Sequence, residues 1–455
     1  VTSGTVSTGA ASVTYVLPAG TATGPYTIVA TYNPSTNFTG SSDDTKTLTV
    51  GARATTTVAA NALSTYSEQA VNVTLSATVS AASSTVNAGT VTFQVKNGAT
   101  NVGSAVTSGT VSTGAASVTY VLPAGTATGP YTIVATYNPS TNFTGSSGSA
   151  TLTITPRQGR VAYIGQTVFV ASGTSSTTVQ ATLSASVSDV DGLGSTPIVG
   201  ATVTFTDLLS NQVLASGVKV SPVVGSPGTG TANTVVTLST GQYGFQQYLI
   251  EVKLVPGNFV NDQQLTAPHD SAAYLAAHPT LVAMIPTQLN SMQGAAGIDK
   301  LSTAAGTYGN ATGASYGVGL KYNNKGTNPQ GQIQLILERS DGTYFIKSNS
   351  ITSVAFSNPD PVSHINKDVT VYTKASIYKV TGAGVLTSID GNVTLRLDAH
   401  DGGTSTGDMI GFTVLSSKTS SLYYSNNWKL DSNTLSWRTV LQPFTSGDGT
   451  AVVIG

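Results

Sequence analysis

The sequence predicts an all-β protein built as a row of antiparallel sandwiches. Three observations carry the prediction. Residues Val1 to Ser42 recur unchanged at Val106 to Ser147, 105 positions further on. Short alternating or β-branched runs follow one another along the chain, separated by Gly, Pro, Asn and Asp. Only one stretch has convincing helical character. A long identical repeat means a modular array whose units fold as domains and touch mainly their neighbours. Short strands between turn residues mean sandwiches of about 100 residues. The 455 residues leave room for three or four such domains.

Taken in order, residues 1–51 hold the second half of one unit. Half a sandwich exposes strand edges and half a core. Its first half is expected upstream or from another chain, and strand donation between subunits is one route to filaments. Residues 52–156 are a complete unit, with strand candidates at 54–60, 70–80, 90–96, 117–122, 131–137 and 150–154. In Thr90-Val-Thr-Phe-Gln-Val95, Val91, Phe93 and Val95 share one face. Turns fall at Asn97-Gly98, Pro123-Ala-Gly125 and Asn138-Pro-Ser140. Residues 157–286 are a second type of β-domain, with strands expected at 161–170, 178–187, 201–205, 233–238, 248–254 and 280–285. A short helix is expected over 270–277, capped by Asp270 or Ser271. Residues 287–455 are a third type, with strands at 317–322, 330–338, 343–347, 351–356, 369–380, 392–397, 409–415 and 421–424. Hairpins are expected at Asn323-Asn-Lys-Gly326, Asp341-Gly342 and Asp390-Gly391. Gly449–Gly455 is expected to form a last strand.

Gly89-Thr-Val-Thr-Phe93, Asn97-Gly98, Leu122-Pro-Ala-Gly125, Tyr131-Thr-Ile-Val-Ala-Thr-Tyr137 and Asn142-Phe143 resemble the bacterial Ig-like repeat domains of large secreted and cell-surface proteins. The resemblance covers 52–156 and, through the copy, 1–50. Many Ig domains carry Cys two residues after the tyrosine corner; here the residue after Tyr131-Thr is Ile133, so the core must be apolar throughout. Ser188-Asp-Val-Asp-Gly192 with Ala201-Thr-Val-Thr-Phe205 resembles the Ig-like unit that precedes the terminal domain of such proteins, and 287–455 is similar to their closing β-rich domain. The resemblance implies tandem Ig-like sandwiches followed by a larger C-terminal sandwich or jelly-roll-like domain, at the bacterial cell surface. It implies no chemistry.

Composition narrows the function. Charged residues are 9% and the net charge is −1. No basic stripe exists to neutralise phosphates, which weighs against a nucleic-acid partner. No apolar run approaches the roughly 20 residues that span a bilayer as a helix. There is no cysteine, which removes disulfides, thiolate metal sites and Cys nucleophiles. Low charge also leaves little like-charge repulsion between copies of the chain.

The candidate chemistry is sparse. Asp398, Asp401 and Asp408 lie on a Gly-rich loop, the type of residue that Ca²⁺ coordination needs, and also ordinary turn formers. Asp189 and Asp191, two apart, could share a cation or close a hairpin. Asp43-Asp44 stand where the second copy has Gly148-Ser149. The histidines His269, His278, His364 and His400 show no zinc spacing, and no serine sits in a nucleophile elbow. Tyr423, Tyr424, Trp428 and Trp437 cluster near the C-terminus, where aromatics either plug the sandwich end or stack on sugars and protein partners. The expectation is a non-enzymatic, extracellular structural protein that associates with copies of itself in a filament, tube or sheath. The alternative is an adhesin stalk whose C-terminal domain binds surface glycans, with or without Ca²⁺.

Overall fold

The computed structural model describes the chain apart from residues 192–197, 270, 287–290, 324–326, 360–365, 381–384, 404–406, 433–435, 445–452 and 455. Gly192, Asp270, His364, the tip of the hairpin at 324–326 and most of 449–455 therefore lie outside the described residues. The chain divides into two compact units, Val1–Thr155 and Pro156–Gly455. It is all-β, as tandem Ig-like antiparallel sandwiches followed by a larger β-domain.

In the first unit, β1 (Gly24–Tyr32) and β2 (Ser41–Val50) form a two-stranded ribbon. The complete repeat follows: β3 (Thr55–Ala59), β4 (Ala62–Thr65), β5 (Val71–Ala81), β6 (Thr90–Asn97), β7 (Thr100–Asn101), β8 (Val106–Thr110), β9 (Ala115–Leu122), β10 (Gly129–Asn138) and β11 (Ser146–Thr155). Sheet β3-β5-β9 faces sheet β4-β11-β10-β6-β7, with β8 beside β6. Alternation places Leu75, Val91, Phe93, Val95, Tyr120 and Ile133 inward, all fully buried. Ile133 fills the expected cysteine position as core. The Tyr131 hydroxyl donates back to the Ala127 carbonyl at 2.8 Å, the bond of a tyrosine corner.

The second unit opens with β12 (Arg157–Tyr163), β13 (Val168–Val170), β14 (Thr178–Asp189), β15 (Thr202–Asp207), β16 (Gln212–Lys219), β17 (Ser221–Pro222), β18 (Thr229–Ser239), β19 (Phe245–Leu254) and β20 (Phe259–Asn261). A 3₁₀ turn, α1 (Ala272–Ala277) and β21 (Thr280–Met284) complete this part. The sheets are β17-β18-β14-β12-β20 and β13-β21-β19-β15-β16. The single strand expected over 161–170 is two strands, one in each sheet. The break falls at Ile164-Gly165, where Gly165 passes so close to Tyr163 and Ser184 that a side chain would not fit. The cap of α1 is Ser271, whose hydroxyl accepts the Tyr274 N–H.

The rest is a ten-stranded antiparallel sheet. Its strands are β22 (Ser291–Asp299), β23 (Gly313–Tyr322), β24 (Pro329–Arg339), β25 (Gly342–Pro359), β26 (Asn366–Val380), β27 (Leu386–His400), β28 (Met409–Leu415) and β29 (Leu422–Ser425). β23 to β29 are each hydrogen-bonded to their predecessor. A small hairpin, β30 (Trp428–Asp431) and β31 (Ser436–Thr439), stands apart, while β32 (Gln442–Pro443) joins β28 and β33 (Val453–Ile454) joins β22. One apolar cluster draws on Tyr316, Leu335, Val371, Leu395 and Phe412. Two sequence expectations change here. The strands at 343–347 and 351–356 are one strand, β25, interrupted by register shifts at Ser348–Ser353. Asp390-Gly391 is not a hairpin turn: it lies inside β27 at a register shift opposite Ile377, so the same two residues make a bulge.

The two β-systems of this unit share apolar contacts. Phe245 clusters with Val282, Met284 and Ala295, and Leu208 and Leu249 cluster with Ile336, Phe345 and Val380. Gly317 and Gly319 of β23 permit this: a side chain at either would run into Phe245. The boundary at 286/287 thus separates sheets but not cores. We predict that Gly317→Ala lowers stability by about 1–3 kcal/mol through overpacking, read as the shift of the denaturant midpoint.

Candidate functional site

The acidic candidates are spread among different structural tasks. Asp398 sits in β27, where Arg396 approaches its carboxylate at 2.8 Å and the Thr370 hydroxyl donates to it at 2.8 Å. Asp401 accepts the backbone N–H of Gly403 and of Ile454, at 2.8 and 3.0 Å. Asp408 is buried and accepts the Gly402 N–H at 3.0 Å. Carboxylates so employed hold a loop and a terminal strand in place. Among the described residues, no three acidic, His or Cys groups gather as metal ligands would. His400 pairs with Asp368 at 2.6 Å instead of joining the loop carboxylates.

Asp189 and Asp191 anchor the start of the second unit. The Arg157 guanidinium lies 2.7 Å from Asp189, and both side chains are fully buried. The guanidinium also lies over the Phe259 ring at 5.3 Å. Asp191 accepts the Gln158 N–H at 2.6 Å. These residues tie β12 to the end of β14. Nothing in the sequence spacing pairs Arg157 with Asp189; the sheet does.

The C-terminal aromatics divide. Tyr424 is core. Tyr423 is half-buried, donates to Asp390 at 2.8 Å and packs with its ring tilted against Tyr308, the centroids 5.9 Å apart. Trp428 is half-buried. Trp437 is 59% exposed and pairs across the β30–β31 hairpin with Leu430, itself 51% exposed. An indole and a leucine side by side on a small hairpin form the one apolar surface among the four predicted aromatics.

A further polar cluster was invisible in the sequence. The rings of His269, Tyr274 and His278 stack in sequence at 4.1 and 3.7 Å. The Thr343 hydroxyl donates to Glu338 at 2.6 Å, so the His269 Nδ1 at 3.0 Å is assigned as donor to Thr343. His278 Nδ1 lies 2.8 Å from the Tyr274 carbonyl, and its Nε2 lies 3.7 Å from Glu251. Burial pushes the Tyr274 phenol well above its usual range, and the nearby Glu338 and Glu251 add to the effect. His278 and Glu338 border a cavity of about 260 Å³, with Thr280 and Ser315. The cluster joins the α1 loop to β24 and β25. The Thr343 hydroxyl at its centre is buried and held between His269 and Glu338.

Comparison with known proteins gives fold-level company only. No protein-family model matches the chain, and no curated protein matches. Solved structures do: a tetra-tandem repeat from the extending region of a large adhesion protein (13% identity, 82% of this chain and 98% of that chain, TM-score 0.27), and fibronectin(III)-like modules of Clostridium thermocellum CbhA (16% identity, 50% and 93%, TM-score 0.17). Titin domains A168–A170 match at 10% identity over 63% and 92%, with a TM-score of 0.24. At these scores the likeness carries no argument about function.

Removing Asp189 takes away the counter-charge that lies 2.7 Å from the fully buried Arg157 guanidinium, so Asp189→Ala is expected to lose about 3–5 kcal/mol. Trp437→Ala should change stability by less than about 0.5 kcal/mol, as for an exposed side chain. Chemical denaturation of both variants checks the contrast. Burial also pushes Tyr248 and Tyr344 up to about 12. A phenol with a folded pKa above its unfolded value of about 10 gives stability that is present below pH 10 and lost as pH rises towards 12. The denaturant midpoint should therefore fall between pH 10 and 12, and both phenols should ionise late in a spectrophotometric titration.

Proposed function

We propose that this chain is part of an extracellular structural protein of the bacterial cell surface, without catalytic activity, whose β-sandwich units self-assemble into or decorate a filament, tube or sheath. The observation that carries the reading is an identical repeat in a chain only 9% charged. Repeated units supply length, and a surface rich in Thr, Ser, Asn and Gly lets copies approach without like-charge repulsion. The polar clusters described above support sheets and loops, which suits a mechanical role. Among the described residues no helix is long and apolar enough to cross a membrane.

The second reading is an adhesin stalk that ends in a binding domain. The exposed Trp437–Leu430 pair favours it, since such a hairpin suits stacking on a glycan ring or a protein partner. Negative-stain electron microscopy at physiological salt separates the two. Ordered filaments or tubes that persist from low to physiological salt are expected from the first. Dissociation by moderate salt counts against it. Isolated rods, together with glycan-array binding lost in Trp437→Ala, would select the second.

A further inference from the structure

The ten-stranded sheet contains two kinds of glycine. Gly317 and Gly319 lack side chains because Phe245 fills the space. Gly297 of β22 and Gly313 of β23 are different. A Cβ built at Gly297 would come no closer than 4.0 Å to its surroundings, and one at Gly313 no closer than 3.9 Å. Neither has a positive φ. Close packing and backbone conformation therefore do not account for them, although glycine weakens a strand and gives it nothing to pack. What they leave open is the cavity of about 260 Å³ beside His278 and Glu338. Gly297 lies opposite Ser315 in the ladder, so both stand on one face of the sheet, the face where Ser315 bonds to Thr280 of β21.

The cavity wall is rich in acceptors. Among the described residues that line it there is no Lys or Arg. Glu338 is buried and brings a carboxylate. His278 is buried as well, with Nδ1 2.8 Å from the Tyr274 carbonyl. A carbonyl only accepts, so Nδ1 carries the proton, and in the neutral ring Nε2 is an acceptor. The Glu251 carboxylate lies 3.7 Å from Nε2, too far for a hydrogen bond. Two acceptors then face each other, and a donor that reaches both would relieve them. Ser315 donates to Thr280 at 2.9 Å, and these two hydroxyls complete the polar wall. Val168 and Leu275 supply an apolar side. The polar groups are held in place beforehand: His278 stacks on Tyr274 at 3.7 Å, and Glu338 accepts the Thr343 hydroxyl at 2.6 Å.

We propose that this cavity binds a primary ammonium group carried on a short aliphatic stem. The head lies against Glu338 and His278 Nε2, with the Thr280 and Ser315 oxygens as further acceptors. The stem runs along Val168 and Leu275. An ammonium brings three donors and no acceptor, which complements such a wall. A carboxylate or phosphate would meet Glu338 with like charge. A metal ion fits less well, because among the described residues no three His or acidic groups converge. The volume falls below the roughly 300–1,000 Å³ of pockets for drug-sized ligands, so the occupant is small.

The test is a titration of the full chain at pH 8, where a primary amine of pKa about 10 is protonated, read by saturation-transfer difference NMR. The probes are n-butylamine, n-butanol and n-butyrate, which share an aliphatic stem and differ in head group. Butylamine is expected to saturate with a Kd of about 1 mM, as suits so small a ligand. Butanol and butyrate should bind at least about 10-fold more weakly. Gly297→Leu puts a side chain into the cavity without a backbone clash, and should abolish binding while the denaturant midpoint holds. Glu338→Gln keeps the shape and an acceptor for Thr343, and should weaken butylamine about 10-fold.

Butylamine that binds no tighter than butanol would overturn the proposal. So would the absence of saturable binding, or binding unchanged in either folded variant. Should Gly297→Leu not fold, the comparison of Glu338→Gln with the unsubstituted chain decides. Nα-acetyl-lysine methylamide distinguishes two sources of the same head group. Affinity equal to that of butylamine assigns the cavity to a lysine side chain of another protein; affinity at least about 10-fold lower assigns it to a free amine. None of these readings depends on filament assembly.

Discussion

Every strand in this protein depends on the strand beside it. The sequence Ala-Ser-Val-Thr-Tyr-Val-Leu occurs twice and is a strand only once, at 116–122, where β5 supplies a ladder and an apolar cover. At 11–17 the same side chains stay in solvent and the backbone does not extend into a sheet. β-propensity is the fit of a side chain to a half-buried pleated surface, and without that surface it does not act. The β1–β2 ribbon survives because its partner is near in sequence and its Tyr26 corner is local. Local contacts are closed at little entropic cost, distant ones only when the partner exists.

The poverty of charge moves the burden of specificity onto shape. Where a charged protein would use ion pairs to set register and reject wrong partners, this one uses glycine and close backbone approach. Gly317 and Gly319 admit Phe245, Gly165 lets the first strand change sheets, and Gly148 lets the closing strand pass β3. Each is a position where any side chain would collide, so each enforces one arrangement by exclusion. Among the described residues, a fully buried ion pair, Arg157 with Asp189, lies at the entry to the second unit. Paired buried charges are poor sources of net stability but costly to mismatch, so they fix how β12 enters its sheet.

Much of the fold was legible because period-2 alternation and turn residues are local signals. Val91, Phe93 and Val95 lie on the buried face that their spacing indicates, and Ile133 fills the expected cysteine position as core. What stayed hidden is what sheets decide in space. Asp390-Gly391 looks like a turn, yet the long partner strand β26 runs past it and turns it into a bulge. β22 escaped notice because Ser291-Met-Gln-Gly-Ala-Ala-Gly carries small residues where strands usually carry large ones; the contact of Ala295 with Phe245 explains why. The site residues were the least legible. Asp398 and Asp408 are near each other in sequence, but one answers Arg396 across its own strand and the other caps a loop. The His269–Tyr274–His278 stack had no recognisable motif because its partners, Thr343 and Glu338, come from a different sheet.

These features bear on how such a chain would carry load. Residues 157 to 455 share apolar contacts across their two β-systems, through Phe245, Leu208 and Leu249, so neither system can open without exposing part of the other's core. The complete repeat keeps a separate core, closed by its own β10 and β11. In the proposed structural role, force along the chain would be met by each core as a separate barrier. Identical links also invite exchange between neighbours, the characteristic failure of repeat proteins. The single inserted residue and the Asp-for-Gly change come directly after the 42 unchanged residues, at the strand where exchange would occur. Divergence confined to that place is what an array under pressure to stay in register would keep.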